Sequence, residues 1–261
     1  MRRMVADLNV SRIIAETFVA GVEHYSSLPS TQERAREAAS NPFETLPLLV
    51  IADRQTAGRG REGNSWWTGE GNLAFSLLFD PAEFDCPRRA VPAMSLAASV
   101  AIIDTIAARI EPHRVGLHWP NDVFVEGKKL AGVLVEVMPD GRHILGVGLN
   151  ANSRAADAPD ELKSRIVTLR DLTGTAHERT VLLMRLLGEL GTCLRQLGGE
   201  PDILGLRFND LCVQHGQMLT LYQGDRPTVG RCLGIATDGG LLLDTATGLQ
   251  AFHSGTLQPP R

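Results

Sequence analysis

The sequence contains no internal repeat, no low-complexity tract and no long apolar run free of charge. Its longest apolar stretch, residues 93–109, is interrupted by Asp104 and reads as a buried helix, which excludes a membrane span. The opening residues, "MRRMVADLNV", are basic at first, but no apolar segment follows, and Asp7 and Glu16 break any candidate signal. A cytoplasmic location is therefore expected. Basic charge is not in excess: 26 Lys and Arg stand against 30 Asp and Glu, a net charge of −4. That balance argues against a general nucleic-acid coat while leaving room for a local basic site. The four cysteines, Cys86, Cys193, Cys212 and Cys232, lack metal-ligand or redox spacing and read as buried free thiols of a reducing compartment. His24, His113, His143, His177, His215 and His253 show no metal-ligand spacing either and read as surface or loop residues.

What is present is a globular composition, 43% hydrophobic over 261 residues, enough for one large domain or an ordinary domain with a small one. "STQERAREAA" opens with Ser30 and has Glu33 three residues on, a capping box that starts a helix. "PLLVIADRQ" and "NLAFSLLFD" read as two strands of a hairpin with a long connection, and "AVPAMSLAASVAIIDTIAARI" as an apolar helix lying across the sheet. "VGLHWPNDVFVEGKKLAGVLVEVM" reads as strand, turn, strand, turning at Glu126-Gly127, and "HILGVGLNAN" as one more strand. "RTVLLMRLLGELGTCLRQL" and "PDILGLRFNDL" are helical, after which Gly-Asp, Asp-Gly-Gly and Thr-Gly turns separate four or five short strands. The expected fold class is α+β, a mainly antiparallel sheet covered by helices over residues 1–210, with a small β-barrel over 211–261.

The connection "QTAGRGREGNSWW", residues 55–67, is too polar and too glycine-rich for a regular element, and such a loop is costly to order. Arg59 and Arg61 flank Gly60, so an extended backbone sends both guanidiniums out on one face, where their planar forks suit carboxylate or phosphate oxygens. Glycines at 58, 60 and 63 let backbone N–H groups approach such oxygens. The spacing is neither a dinucleotide fingerprint nor a P-loop. A solvated surface loop has a similar composition, but Trp66 and Trp67 favour a loop that covers an apolar ligand.

In "WPND…KKLAG", Pro120 fixes the chain before Asn121 and Asp122. Asp122 and Lys129 bracket a two-residue hairpin turn and can meet across it, either as an ordinary exposed pair or as a site that holds Mg²⁺ or steers a carboxylate next to phosphate. Lys128 beside them faces solvent. "GVGLNAN" ends a strand in small or amide residues, a floor for a flat ligand or simply a strand end followed by an Asn turn.

Together "STQ" 30–32, "QTAGRGREGNSW" 55–66, "WPNDVFVEGKKLAG" 119–132, "GVGLNAN" 146–152 and the C-terminal "GLLLDTATG…FHSGTL" resemble biotin–protein ligase, over residues 22 to 257. The resemblance implies a class II synthetase-like biotin/lipoate ligase catalytic domain. It implies ATP and biotin as substrates, Mg²⁺, a biotinyl-5'-AMP intermediate and transfer to a lysine of a biotin carboxyl carrier protein. It further implies that Ser30, Thr31, Gln32, Gln55, Gly58, Arg59, Gly60, Arg61, Trp66, Asn121, Lys129, Gly132, Gly148 and Asn150 surround biotin and its adenylate. Arg59, Asp122 and Lys129 are implied at the reacting centre, and "TLRDLTG", 168–174, beside the adenine. His118 departs from the lysine usual before "WPND", and Gln32 from a common asparagine. About twenty residues precede the catalytic region, too few for the DNA-binding module that some members carry; no nucleic acid and no membrane are expected as partners, and a sheet-edge homodimer is left open. A lipoate ligase or octanoyltransferase on the same fold is the rival enzyme, and a non-catalytic sensor of biotinyl-adenylate the rival of another class.

Overall fold

A computed structural model describes residues 8–88 and 90–258. The first seven residues of the opening segment read above lie outside them. In chain order the first elements are α1 (Val10–Glu16), β1 (Gly21–Tyr25), α2 (Thr31–Ala38), β2 (Leu48–Ala52), β3 (Leu73–Phe79) and α3 (Val91–Ile106). Next come β4 (Val115–His118), β5 (Asp122–Val125), β6 (Lys128–Val137), β7 (His143–Leu149), α4 (Asp160–Lys163) and α5 (Leu169–Thr173). Two helices, α6 (Arg179–Gly199) and α7 (Pro201–Asp210), then lead to β8 (Met218–Gln223), β9 (Arg226–Ile235), β10 (Leu241–Thr245), β11 (Gly248–Phe252) and β12 (Thr256–Gln258).

The first seven strands form one mixed sheet in the order β1-β2-β3-β7-β6-β5-β4. Only β1 and β2 run parallel; β2 and β3 are the expected hairpin. Both faces of the central strands are covered, which is why "LLVIA" and "LAFSLLF" are nearly continuous apolar runs. Leu49, Ile51, Phe75, Leu77, Leu145 and Val147 belong to the main core with α3 and α6, whereas Leu48, Val50, Leu78 and Ile144 form a smaller cluster with the alanines of α2. The helix segment Val91–Arg109 is long and apolar enough to cross a membrane by composition, yet 72% of it is buried inside the protein. Its polar residues are accommodated locally: Ser99 and Thr105 donate to the carbonyls of Ser95 and Ala101, and Asp104 accepts a bidentate pair from Arg207 of α7 at 2.8 and 2.6 Å.

The turn at Glu126-Gly127 has φ of 49° and 79°, the two positive values that a tight two-residue hairpin requires. The segment "VGLHWPNDV…" holds three strands where two were expected, because "WPND" itself turns the chain between β4 and β5. His143 corrects the expectation of surface histidines: it is fully buried on β7, its ring nitrogens paired with the carbonyls of Gly141 and Arg88. All four cysteines are buried free thiols.

The C-terminal strands are not a closed barrel. They form an antiparallel sheet, β11-β10-β9-β8-β12, whose edges β11 and β12 remain unjoined among the described residues. Closure requires the two edge strands to pair in a staggered register, and β11 and the three-residue β12 do not pair among the described residues.

Asp104→Asn removes the charge that Arg207 grips from two sides, and is expected to lower unfolding free energy by about 1–2 kcal/mol. Urea denaturation checks this; an unchanged midpoint would refute a structural role for the pair.

Candidate active site

The face of the sheet turned toward α2 changes character halfway across. On β7, Leu145, Val147 and Leu149 enter the main core, and the alternate positions are Gly146 and Gly148. Gly148 pairs with Gly132 of β6, and Gly146 with Ser76 of β3. The result is a floor almost without side chains, above which lies a cavity of about 1200 Å³. Each glycine has a neighbour close above it. A methyl group at Gly146 would come within 2.5 Å of Gln32 Oε1, one at Gly132 within 3.1 Å of Asp122 Oδ1, and one at Gly148 would overlap the Trp66 indole.

One wall is the start of α2. Ser30 sits at the N-cap with extended backbone, but its hydroxyl makes no capping bond, and Glu33 pairs with Arg59 instead of closing a capping box. The expected cap is thus absent, and the Ser30 hydroxyl is buried with no partner. Thr31 donates from its backbone and hydroxyl to Gln55 Oε1 at 2.8 and 3.1 Å, while Gln55 Nε2 donates to Thr68. Ser76 bridges Thr31 and Gln32, its oxygen 2.9 Å from both acceptors. A short polar chain therefore runs across the inner end of the cavity.

The glycine-rich connection forms the roof. It is more ordered than a plain loop: Arg59 bridges Ser65, Trp66 N–H donates to the Gly58 carbonyl, and a single turn at Arg61–Gly63 closes this narrow flap. Arg59 reaches Glu33 on α2, and Arg61 approaches Asn121 Oδ1 at 3.4 Å. The Arg59–Glu33 side chains are 48% and 35% exposed, so the pair contributes little and is easily exchanged for another anion. Trp66 lies on Gly148, 5.5 Å from Lys129 Nζ by its ring centroid.

Lys129 and Asp122 meet across their hairpin at 2.7 Å, and Asn121 donates to the Val133 carbonyl. Asn150 Nδ2 reaches the carbonyls of Lys129 and Val167, joining the floor to the N-terminal end of α5, where Thr168 is the cap. His118 stacks on Phe124, with ring centroids 4.3 Å apart and 18° between planes. Burial holds its pKa below the ordinary histidine value, against the opposing pull of Asp122. The ring is therefore neutral at neutral pH.

The residues expected around biotin and at the reacting centre line this cavity except Gly58, whose place is inside the flap hairpin, where a side chain would meet Trp66 O at 2.6 Å; residues 168–174, expected beside the adenine, are not part of the lining. Sequence reasoning missed Ser76, Arg114, Arg165, Gln214 and Thr256, which share the wall. Gly146, the first residue of the "GVGLNAN" floor, is two residues from Gly148 and so on the same strand face. Five buried side-chain polar atoms have no partner among the described residues; three of them, Ser30 Oγ, Trp66 Nε1 and Asp122 Oδ1, belong to this wall. An orphaned buried group costs about 1–3 kcal/mol, so their clustering marks a place built for a polar ligand.

Family models match two regions: one described as the Biotin/lipoate A/B protein ligase family over residues 25–152, and one described as the Biotin protein ligase C terminal domain over 215–257. The chain is 32% identical over 247 residues to the bifunctional ligase/repressor BirA of Bacillus subtilis, spanning 90% of this chain and 73% of that protein. It is 34% identical over 200 residues to the biotin--[acetyl-CoA-carboxylase] ligase of Mycobacterium tuberculosis, spanning 76% and 73%. The solved biotin protein ligase from Aquifex aeolicus in complex with biotin and ATP superposes with a TM-score of 0.79 at 30% identity, covering 92% of this chain and 98% of that one.

Gly148→Ala should displace Trp66 from the floor, changing its fluorescence while leaving the far-ultraviolet circular dichroism intact; an unaltered emission maximum would contradict the packing. A second expectation follows from His118. Its depressed pKa makes a contribution to stability that is full above about pH 6.5 and is lost as pH falls through the folded value. Burial lowers His143 and His177 in the same direction. The drop in melting temperature from pH 7.5 to pH 5 should therefore be smaller, not absent, in His118→Gln; an equal drop would refute the buried neutral ring.

Proposed function

The chain belongs to the biotin protein ligase family and is a ligase; from that premise we propose that it joins biotin to ATP as biotinyl-5'-AMP and passes the biotinyl group to a lysine of a biotin carboxyl carrier protein. The observation that carries the reading is the three orphaned polar atoms above a glycine floor, roofed by a flap that bears two arginines. The polar chain through Thr31, Gln32, Gln55 and Ser76, with the Ser30 hydroxyl, suits the ureido end of biotin, which both donates and accepts. Trp66 covers the apolar body of the ligand.

In the first step a carboxylate oxygen forms a bond to the α-phosphorus of ATP, and the bond to pyrophosphate breaks. Two anions must approach, and Lys129, Arg59 and Arg61 supply positive charge where they meet. His118 adds no fixed charge there at neutral pH. The flap excludes water from the mixed anhydride. In the second step the carrier's amine attacks the acyl carbon and AMP leaves. Adenine is assigned to the side bounded by Asn150 and residues 168–174. The site holds no cluster of three His, Cys, Asp or Glu side chains among the described residues, but Asp122 Oδ1 fits one coordination position of Mg²⁺. Phosphate oxygens would fill the others, and the ion would neutralise charge as pyrophosphate departs.

Radiolabelled pyrophosphate should exchange into ATP in a biotin-dependent, lipoate-independent manner, and labelled biotin should appear on a carrier domain. Exchange with lipoate alone would overturn the substrate assignment, and exchange without carrier labelling would overturn the transfer step. Lys129→Ala should slow single-turnover adenylate formation more than Arg61→Gly, by about tenfold or more. Arg61→Gly should instead release more free adenylate than the wild type, because one cationic fork is gone. Equal activation rates in the two variants would contradict the division of roles.

A further inference from the structure

The active-site turn "WPND" is not held by its own sheet alone. After α7 the chain passes beside β4: Leu117 N–H donates to the Leu211 carbonyl at 2.7 Å, and Val213 N–H donates to the Leu117 carbonyl at 2.9 Å. Two residues farther on, at Trp119 just past the end of β4, a side chain takes the place of the backbone pairing. Gln214, 2% exposed, accepts from Trp119 N–H through Oε1 at 2.9 Å and donates through Nε2 to the Trp119 carbonyl at 3.3 Å. The amide thus answers both polar groups of one residue in the way a neighbouring strand would. Trp119 is itself fully buried, and its indole N–H donates to the carbonyl of Gly239, in the turn between β9 and β10.

From this geometry we infer that Gln214 is a positioning residue for activation, through which the C-terminal sheet fixes the turn that presents Asn121 and Asp122. The inference rests on the function proposed above. Trp119 is followed by Pro120, whose backbone has no N–H and a fixed φ. Displacement of Trp119 is therefore transmitted to Asn121 with little slack. Asn121 in turn is the residue Arg61 of the flap approaches, and Asp122 holds Lys129. Thr31, Gln32 and Ser76, proposed to face biotin, hydrogen-bond among themselves and with Gln55, and among the described residues share no hydrogen bond with Gln214 or Trp119.

A small shift of reacting groups lowers rate far more than binding. Gln214→Leu should reduce the single-turnover rate of adenylate formation by about tenfold or more, with the dissociation constant for biotin within twofold of wild type, measured well below the variant's melting temperature. Gln214→Glu provides the chemical test. As the neutral acid it can accept from Trp119 N–H and donate to the Trp119 carbonyl; as the carboxylate it faces that carbonyl with no proton. Its activity relative to wild type should rise as pH falls, with a midpoint above the ordinary glutamate value of about 4.3. A Leu variant within twofold of wild type in rate, or a Glu variant whose relative activity is flat with pH, would overturn the inference. If the Leu variant does not fold, the Glu profile alone decides. Wild-type protein without biotin-dependent exchange would instead overturn the function itself.

Discussion

Three glycines on one face of one sheet, Gly132, Gly146 and Gly148, set the constraint on which the site depends. Elsewhere the central strands carry apolar side chains on both faces, and the core is continuous through them. At these positions the backbone is left bare, and what comes to rest there is polar or aromatic and drawn from other elements. Gln32 arrives from α2, Trp66 from the flap, and Lys129 with Asp122 from the neighbouring hairpin. A side chain at Gly146 or Gly148 would displace Gln32 or Trp66, and one at Gly132 would crowd Asp122 and Lys129. The cavity is therefore made by omission on the strands and furnished by loops and helix ends, the usual division between a rigid scaffold and the residues that act.

The flap above this floor is held lightly. Its hairpin bonds are few, its Arg59–Glu33 pair is half in solvent, and Glu62 at its tip has left-handed backbone and accepts a hydrogen bond from Thr256 of β12. Weak restraints of this kind cost little to exchange. The buried Ser30, Trp66 and Asp122 atoms without partners add a standing incentive for a ligand that can answer them. Ordering glycines 58, 60 and 63 is unfavourable in isolation, and the account requires that contacts with an acid and its adenylate offset it.

Much of this was legible in the sequence because it is local. The β2–β3 hairpin, the Glu126-Gly127 turn and the approach of Asp122 to Lys129 follow from turn chemistry and strand period over short spans. The resemblance named most of the wall, although Gly58 sits inside the flap and residues 168–174 lie outside the lining. What was not legible is non-local. The Ser30–Glu33 box failed because Arg59, twenty-six positions beyond Glu33, takes the carboxylate. His143 is buried because carbonyls of Gly141 and Arg88 receive its ring, which periodicity cannot foresee. The expected barrel is an open sheet, its edge strands β11 and β12 unpaired with each other among the described residues. Gln214 carries no local signal of its place, because its partner Trp119 is 95 positions away.

The central claim is that the flap gains its order from the ligand it covers. Amide hydrogen exchange across residues 58–66, followed without ligand, with biotin, and with biotin and ATP together, tests it most directly. The account predicts slowed exchange with biotin and a further slowing when the adenylate can form, confined to the flap and the turn at Asn121. Exchange in the flap that is the same in all three conditions would contradict it.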